Sequence, residues 1–360
     1  MRSTTKALSY LAVALLVAAG LPAAAEAEAE PVMMSVIAGN GSAGFADGNG
    51  DEARFNKPIR LAPWGPGAVL VADIYNHSIR IVHADGHVET LVGGPDRQGH
   101  TDGPAATARI SSPHGVAVSA DGTIAVAEAE NHTIRLIRRV DGDDIRAADG
   151  SSAGYVVSTL AGAPGTPGMA DGPALEARFS SPHAVIWAPD GALWVADIGN
   201  ARVRRIDDGQ VSTVAGGGDD KASEGLATAM TLHYPMDLAL DADGSLLIAD
   251  AGSHEVRRLT ADGRLQTLPQ ERPLETPHGI TVDDDGHLYV AEIGGHRVVR
   301  LEPSGALTTA AGTGLPGVHP TQLDDPAAVL AHDGLLWIAD LGNHRITAVP
   351  LACGQCDPTD

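Results

Sequence analysis

PHAVIWAPDGALWVADIGNARVRRIDDGQVSTVA, residues 182–215, decides the fold. A Pro opens a short apolar run (184–188), and Pro-Asp-Gly (189–191) is a tight hairpin turn. A strand rich in β-formers (192–196) ends on Asp197. A short loop (198–201), an Arg-bearing strand (202–206) and an outer strand (210–215) complete the unit. The same sentence is written six times, beginning at Pro58, Pro113, Pro182, Pro235, Pro277 and Pro326. A repeat of roughly 50 residues built only from short strands predicts the blades of an all-β propeller.

The sixth copy ends after its third strand, at 348–351. The missing outer strand is found at the other end of the repeat region, where residues 32–38 read Val-Met-Met-Ser-Val-Ile-Ala. Placing it beside the last blade gives a closed ring of six four-stranded blades and satisfies otherwise unpaired strand groups. Three of the long connections between blades carry Asp-Gly followed by Ala-Arg: Asp47-Gly48 with Ala53-Arg54, Asp102-Gly103 with Ala108-Arg109, and Asp171-Gly172 with Ala177-Arg178. These read as capped short helical turns leading into an inner strand. An insertion at 140–155 lies between the third and fourth strands of blade two and projects from the face opposite the start of the inner strands.

Residues 1–25 read as a secretory signal peptide, with Arg2 and Lys6, an apolar run over 7–21 and a small-residue site at Ala23-Ala24-Ala25. The expected mature propeller occupies 26–352, exported to a periplasmic or extracellular space as a monomer with no membrane span. The tail, 353–360, holds Cys353 and Cys356, which an oxidising compartment would close into a small disulfide loop. Acids outnumber bases 46 to 24, and no basic patch interrupts them, which argues against nucleic acid and anionic lipid as partners.

The copies VADIYNHSIR (71–80), VAEAENHTIR (126–135) and IADLGNHRI (338–346) resemble NHL repeats, named for Asn-His-Leu, and the resemblance covers essentially the whole mature chain. It implies a six-bladed propeller with a central pore. It does not imply one function, since the family includes binding platforms, sensor domains and enzymes.

Every copy ends its second strand on an acid: Asp73, Glu128, Asp197, Asp250, Glu292 and Asp340. Such regularity points to a repeated structural bond to loop amides. The loop histidines His77, His132, His254, His296 and His344 read the same way, as ties between blades. The residue after each Pro behaves differently: Ile59, His114, His183, Met236, His278 and Ala327. Three imidazoles beside a pore, from blades two, three and five, fit zinc or another divalent transition metal, with calcium also considered. The competing reading is a strand-start preference, and a one-residue slip would turn these side chains away.

Where four loops carry Gly199, Gly252, Gly294 and Gly342, blades one and two carry Tyr75 and Glu130. A left-handed backbone explains the glycines. Arg60, Tyr234, Met236 and Asp237 also depart from their siblings. Tyr234, Met236 and Asp237 are expected to form a pocket wall at the pore mouth, with Arg60 holding a carboxylate and Tyr75 or Glu130 moving a proton. The three Pro-His sites also resemble, in part, the pore histidines of peptidylglycine amidating lyase, an NHL-like zinc propeller. That enzyme takes its ligands from alternating blades, so the likeness carries the metal and not the reaction. Two functions follow. One is a binding scaffold presenting its loop face and pore mouth to a protein, peptide, glycan or small carboxylate ligand. The other is a metal-dependent lyase or hydrolase with a three-histidine pore site. The fold alone licenses the first, which is preferred.

Overall fold

The computed structural model describes residues 31–140 and 154–351. The signal-peptide reading, most of the insertion and the Cys353–Cys356 pair lie outside those residues. The described residues from Val32 to Leu351 form one compact unit.

Six antiparallel sheets are arranged as blades. Blade three runs from the inner strand Pro182–Trp187 through Leu193–Asp197 and Arg202–Asp207 to the outer strand Gln210–Gly216. The expected strands are all present, and the inner one begins two residues earlier, on the Pro itself. The inner strands Pro58–Pro63, Pro113–Val118, Pro182–Trp187, Pro235–Leu240, Pro277–Val282 and Pro326–His332 pack neighbour on neighbour, the sixth returning to the first. Blades one to four gain a fifth short strand from the preceding connection, such as Gly103–Pro104 in blade two.

Closure is as the sequence requires. Ser35–Ala38 pairs antiparallel with Arg345–Pro350, matching Ser35 to Ala348 and Ala38 to Ile346. The core lies between blades, because each twisted sheet must bury both faces against its neighbours. At the seam, Ala38, Phe55, Leu61, Val69 and Val71 pack with Ala328, Trp337 and Ile346.

The repeated acid is buried in every blade. Asp73 accepts the Asn56 amide (2.7 Å), Asn76 Nδ2 (2.7 Å) and Arg80 Nη1 (3.0 Å). One carboxylate therefore ties together the entry to the inner strand, the loop between strands two and three, and the third strand. Glu128 and Asp197 repeat the pattern on the Ser111 and Ser180 amides and on Arg135 and Arg204.

These arginines explain the Asp-Gly and Ala-Arg motif, and they correct its reading as a helix cap. Arg80 Nη2 donates to Asp47 Oδ1 (2.6 Å), and Nη1 donates to the Arg54 carbonyl (3.0 Å). Arg135 and Arg204 treat Asp102 with Arg109, and Asp171 with Arg178, in the same way. The aspartate receives a buried guanidinium, a charge that requires this satisfaction. The short turn itself is present, as the 3-10 turn Gly50–Glu52 in blade one and as single turns in which Ala108 N donates to the Pro104 carbonyl and Ala177 N to the Pro173 carbonyl in blades two and three.

Loop histidines carry the tie from one blade to the next. His77 Nδ1 accepts the Ser112 amide (3.0 Å), His132 Nδ1 that of Ser181 (3.1 Å), and His344 Nδ1 that of Lys57 (3.1 Å), which spans the seam. All five are left-handed, at φ between 49° and 60°. The glycines two positions earlier are not, which corrects the reading of Gly199 and its siblings. Gly199 is needed for close approach, since an added Cβ would meet Ser180 Oγ at 2.4 Å.

Trp337 is fully buried at the seam. Trp337→Ala is expected to cost about 3–5 kcal/mol, read from urea unfolding. A change below about 1 kcal/mol would show that the seam is not a continuous core.

Candidate functional site at the pore mouth

Each inner strand starts with the same irregularity. Its Pro pairs with the buried acid, as Pro58 with Asp73, and the ladder then skips to Pro+2, as Arg60 with Ala72. The shift recurs in all six blades, so Ile59, His114, His183, Met236, His278 and Ala327 all stand in β-bulges. A bulge re-aims a side chain, which frees these positions from strict alternation.

The Pro+2 residues are Arg60, Gly115, Ala184, Asp237, Gly279 and Ala328. Four are small because the strands converge: a Cβ on Gly115 would meet the His183 carbonyl at 2.4 Å, and one on Gly279 that of Ala327 at 2.7 Å. The two charged ones sit in blades one and four, opposite each other in the ring, and they form an ion pair between Arg60 Nη1 and Asp237. Both are buried. Arg60 Nη2 also donates to the Met236 carbonyl (2.9 Å). Asp237 accepts the Leu238 amide (2.8 Å) and, from the next blade, the Ile280 amide (2.9 Å). The pair bridges the ring at this level. Burial raises the Asp237 pKa against the pull of Arg60, and burial lowers that of Arg60.

The three predicted histidines belong to this layer. The His114 and His183 rings lie 4.2 Å apart, tilted by 37°. His114 Nδ1 faces the Ser112 carbonyl (2.9 Å), and His278 Nδ1 faces the Ala327 carbonyl (2.7 Å). A carbonyl only accepts, so both Nδ1 atoms carry the proton and both Nε2 atoms keep a lone pair. His183 Nδ1 is buried with no hydrogen-bond partner among the described residues. Burial, aided by the charge of Arg60, pushes His114 down to about 4 and His278 to about 3. His183 is lowered too, by burial and then by its histidine neighbours. The imidazoles are therefore neutral near pH 7.

The structure thus gathers Arg60, Met236, Asp237, His114, His183 and His278. Tyr75, Glu130 and Tyr234 stand on loops at the strand-start face. Glu130 accepts from Ser111 Oγ (2.7 Å) and Gln98 Nε2 (3.1 Å). Burial raises its pKa, but those bonds outweigh it and hold the carboxyl below its usual value. Tyr75 is 44% exposed and Tyr234 47%, the latter lying against Gly252. The pairing of Arg60 with Asp237 was not foreseen. Its signal was present: among six equivalent positions, only those of opposite blades are charged.

For metals, one triad of ligand atoms among the described residues lies within 4.8 Å: His296, Asp324 and Asp325. His296 Nδ1 already accepts the Asp325 amide (3.2 Å), the interblade tie made by His77, His132 and His344, so its geometry is explained by the fold. The pore histidines do not form such a triad, and the charge of Arg60 acts on all three.

The family described as "SMP-30/Gluconolactonase/LRE-like region" matches residues 64–323, and the chain belongs to it, built from NHL repeats. The chain is 31% identical over 144 residues to human "NHL repeat-containing protein 2", covering 38% of this chain and 18% of that protein. It is 29% identical over 241 residues to "Teneurin-m" of Drosophila melanogaster, covering 63% and 8%. The chain thus spans a small part of the curated relatives it matches. A Bacteroides thetaiotaomicron protein of unknown function shares the fold with TM-score 0.63 and 18% identity, covering 88% of this chain and 75% of that one. A Xanthomonas campestris gluconolactonase does so with TM-score 0.56 and 19% identity, covering 92% and 99%. A streptogramin B lyase gives 0.53 and 16%, covering 84% and 96%. At these identities the likeness is one of fold.

Two outcomes follow from the layer. Asp237→Ala leaves a buried guanidinium unpaired and is expected to cost about 3–5 kcal/mol in urea unfolding, while the double variant Arg60→Met/Asp237→Leu recovers much of it. A double variant as damaged as the single one would show that the pair is not what matters. The second outcome concerns pH. The folded values of His114 and His278 lie below the unfolded value of about 6.5. From there down to about 4 the unfolded chain binds protons that the folded one refuses, so these histidines make stability fall as pH drops. Asp73, raised to about 6 by burial, works in the opposite sense. His278→Asn is therefore expected to flatten the acid limb of stability against pH relative to wild type, by up to about 1.4 kcal/mol per pH unit. An unchanged limb would contradict the burial of a neutral imidazole.

Proposed function

We propose that this chain is a binding propeller whose ligand site is the pore mouth on the strand-start face. The observation that carries this reading is the layer itself. Five of the six blades place a polar side chain at Pro+1 or Pro+2, and His114 and His183 remain partly exposed. Convergent polar groups among apolar neighbours are what small-molecule sites are made of. The bridge at the floor closes the layer below, so a ligand enters from the loop side past Tyr75, Glu130 and Tyr234. Fold neighbours named for gluconolactonase and lyase activity, and others described as nutrient-binding proteins, show that this architecture serves both binding and catalysis.

A second reading is favoured by one specific contact pattern. His114 and His278 give Nδ1–H to carbonyls and keep Nε2 free, as metal-bound histidines do. It supports a metal-dependent lyase or hydrolase, in which His114, His183 and His278 would hold zinc or a similar ion and the ion would polarise a substrate carbonyl. Arg60 opposes it, because its charge acts on all three histidines.

Elemental analysis of dialysed protein, paired with chemical-shift mapping of a small-molecule library, separates the two. The binding reading expects no stoichiometric transition metal and hits that perturb the His114 and His183 imidazole signals. About one equivalent of metal, lost in His114→Ala and His183→Ala, would replace it with the second. Hits confined to the outer blades would end both.

A further inference from the structure

The outer hairpin of blade one departs from its siblings, far from any part the pore plays. Strand Ser78–His83 turns through Ala84-Asp85-Gly86 into His87–Gly93, and the Gly86 amide closes the turn on the His83 carbonyl (2.9 Å). The ladder pairs Val82 with Val88 and Ile81 with Glu89, and one step further it sets His83 opposite His87. Side chains alternate across a strand, so His83, His87, Glu89 and Ile81 share one face of the hairpin. The corresponding hairpin ends are Asp207 and Gln210 in blade three, Thr260 and Arg264 in blade four, and Glu302 and Ala306 in blade five. Where Ile81 faces Glu89, those blades set Arg205 against Ser212, Arg258 against Gln266 and Arg300 against Thr308. Each of these arginines pairs with an acid of its own blade: Asp207, Asp241 and Glu302. Blade one thus gains two imidazoles and a carboxylate and loses the cation. Among the described residues, the ion pair of Glu89 is with His83 Nε2, at 3.7 Å.

The spacing is that of ligands around one ion. The His83 and His87 ring centroids lie 5.7 Å apart, tilted by 37°. With metal–ligand bonds of about 2.0–2.2 Å, two imidazoles on a tetrahedral ion have centroids about 5.2 Å apart and neighbouring ligand atoms about 3.3–3.6 Å apart. His87 Nδ1 faces Asn49 Oδ1 (3.1 Å), an acceptor, so it carries the proton and Nε2 keeps its lone pair. An outer hydrogen bond of this kind orients a metal-bound histidine. The three ligand atoms do not all lie within 4.8 Å of one another, so side-chain rotation completes the set. That rotation is open to them: the His83 side chain is 37% exposed, that of Glu89 54%, and His87 is exposed. Imidazole with carboxylate suits zinc and its neighbours among divalent transition ions, whereas calcium and magnesium take oxygen ligands. The net charge of -22 draws cations to the surface.

We propose that the outer hairpin of blade one binds a divalent transition-metal ion, zinc or one like it, through His83, His87 and Glu89. Asn49 is a positioning residue that holds the His87 tautomer, and the remaining coordination position faces water. The site is separate from the pore and does not depend on what the pore binds. Three ligands open to solvent release their ion on dialysis, so this site is read by adding metal.

The test is calorimetric titration of the full chain with zinc chloride, after EDTA treatment and removal of the chelator, beside imidazole nitrogen NMR spectra. The expected result is one saturable equivalent, weakened at least about tenfold in His83→Ala, in His87→Ala and in Glu89→Gln, and unchanged in His114→Ala. In wild-type spectra, substoichiometric zinc is expected to move the His83 and His87 signals before those of His114, His183 and His296. No saturable zinc binding, or an affinity untouched by both hairpin histidine variants, would overturn the proposal. Zinc lost in His114→Ala and kept in the hairpin variants would move the ion to the pore, and zinc lost only in Asp324→Ala would move it to the His296 triad. Full affinity in Glu89→Gln would reduce the site to a histidine pair and overturn the three-ligand assignment. The spectra use wild-type protein, so their result stands even if a variant fails to fold.

Discussion

One buried carboxylate per blade holds this molecule in register. It sits where the second strand ends, and its oxygens take an amide from the chain entering the inner strand and, in most blades, a guanidinium from the third strand. A buried charge without partners would be costly, so the loop, the entry and the third strand are compelled to meet around it. The bulge after each Pro follows, because the Pro pairs with the acid while the strand beyond it must resume its ladder one residue late. The pore-facing position is thus created by a scaffold contact. Where partners change, the balance changes with them. Glu292 is raised by burial but held below its ordinary value by Arg272 and Arg297, whereas Asp250, with Ser253 and the His233 amide, is raised by burial.

A ring of near-identical blades has no site until the symmetry is broken. Here the break is sharp and local. At Pro+2 the strands approach so closely that Gly or Ala is the rule, and two opposite blades break it together with charges of opposite sign. Either substitution alone would bury an unpaired ion. Their coexistence makes the layer polar without giving it net charge, and it leaves the neighbouring imidazoles neutral.

The repeat made the fold legible. Blade count, strand order and the closing strand all followed from comparing six copies of one sentence, and the acids and loop histidines revealed themselves as structure by recurring. The site was legible in parts. Its members were visible as departures, but which departures touch is a matter of ring geometry, and Arg60 and Asp237 are 177 positions apart in number. The Asp-Gly motif was misread because helix capping is a local explanation, and the true partner, the third-strand Arg, lies 33 residues away. The glycines at 199, 252, 294 and 342 were misread because crowding and backbone hand leave the same mark in a sequence.

The seam has a temporal consequence. Ser35–Ala38 finds its partner in Arg345–Pro350, so the ring is sealed by joining segments at opposite ends of the repeat region. Closing so long a loop comes late, because its entropy is spent before any contact rewards it. Until then blade six lacks its rim and blade one lacks a neighbour. The polar floor cannot exist either, since it requires blades one and four to face each other at full curvature. Sealing the ring and forming the Arg60–Asp237 floor are therefore one event, and a chain arrested just short of it would hold five complete blades and no floor.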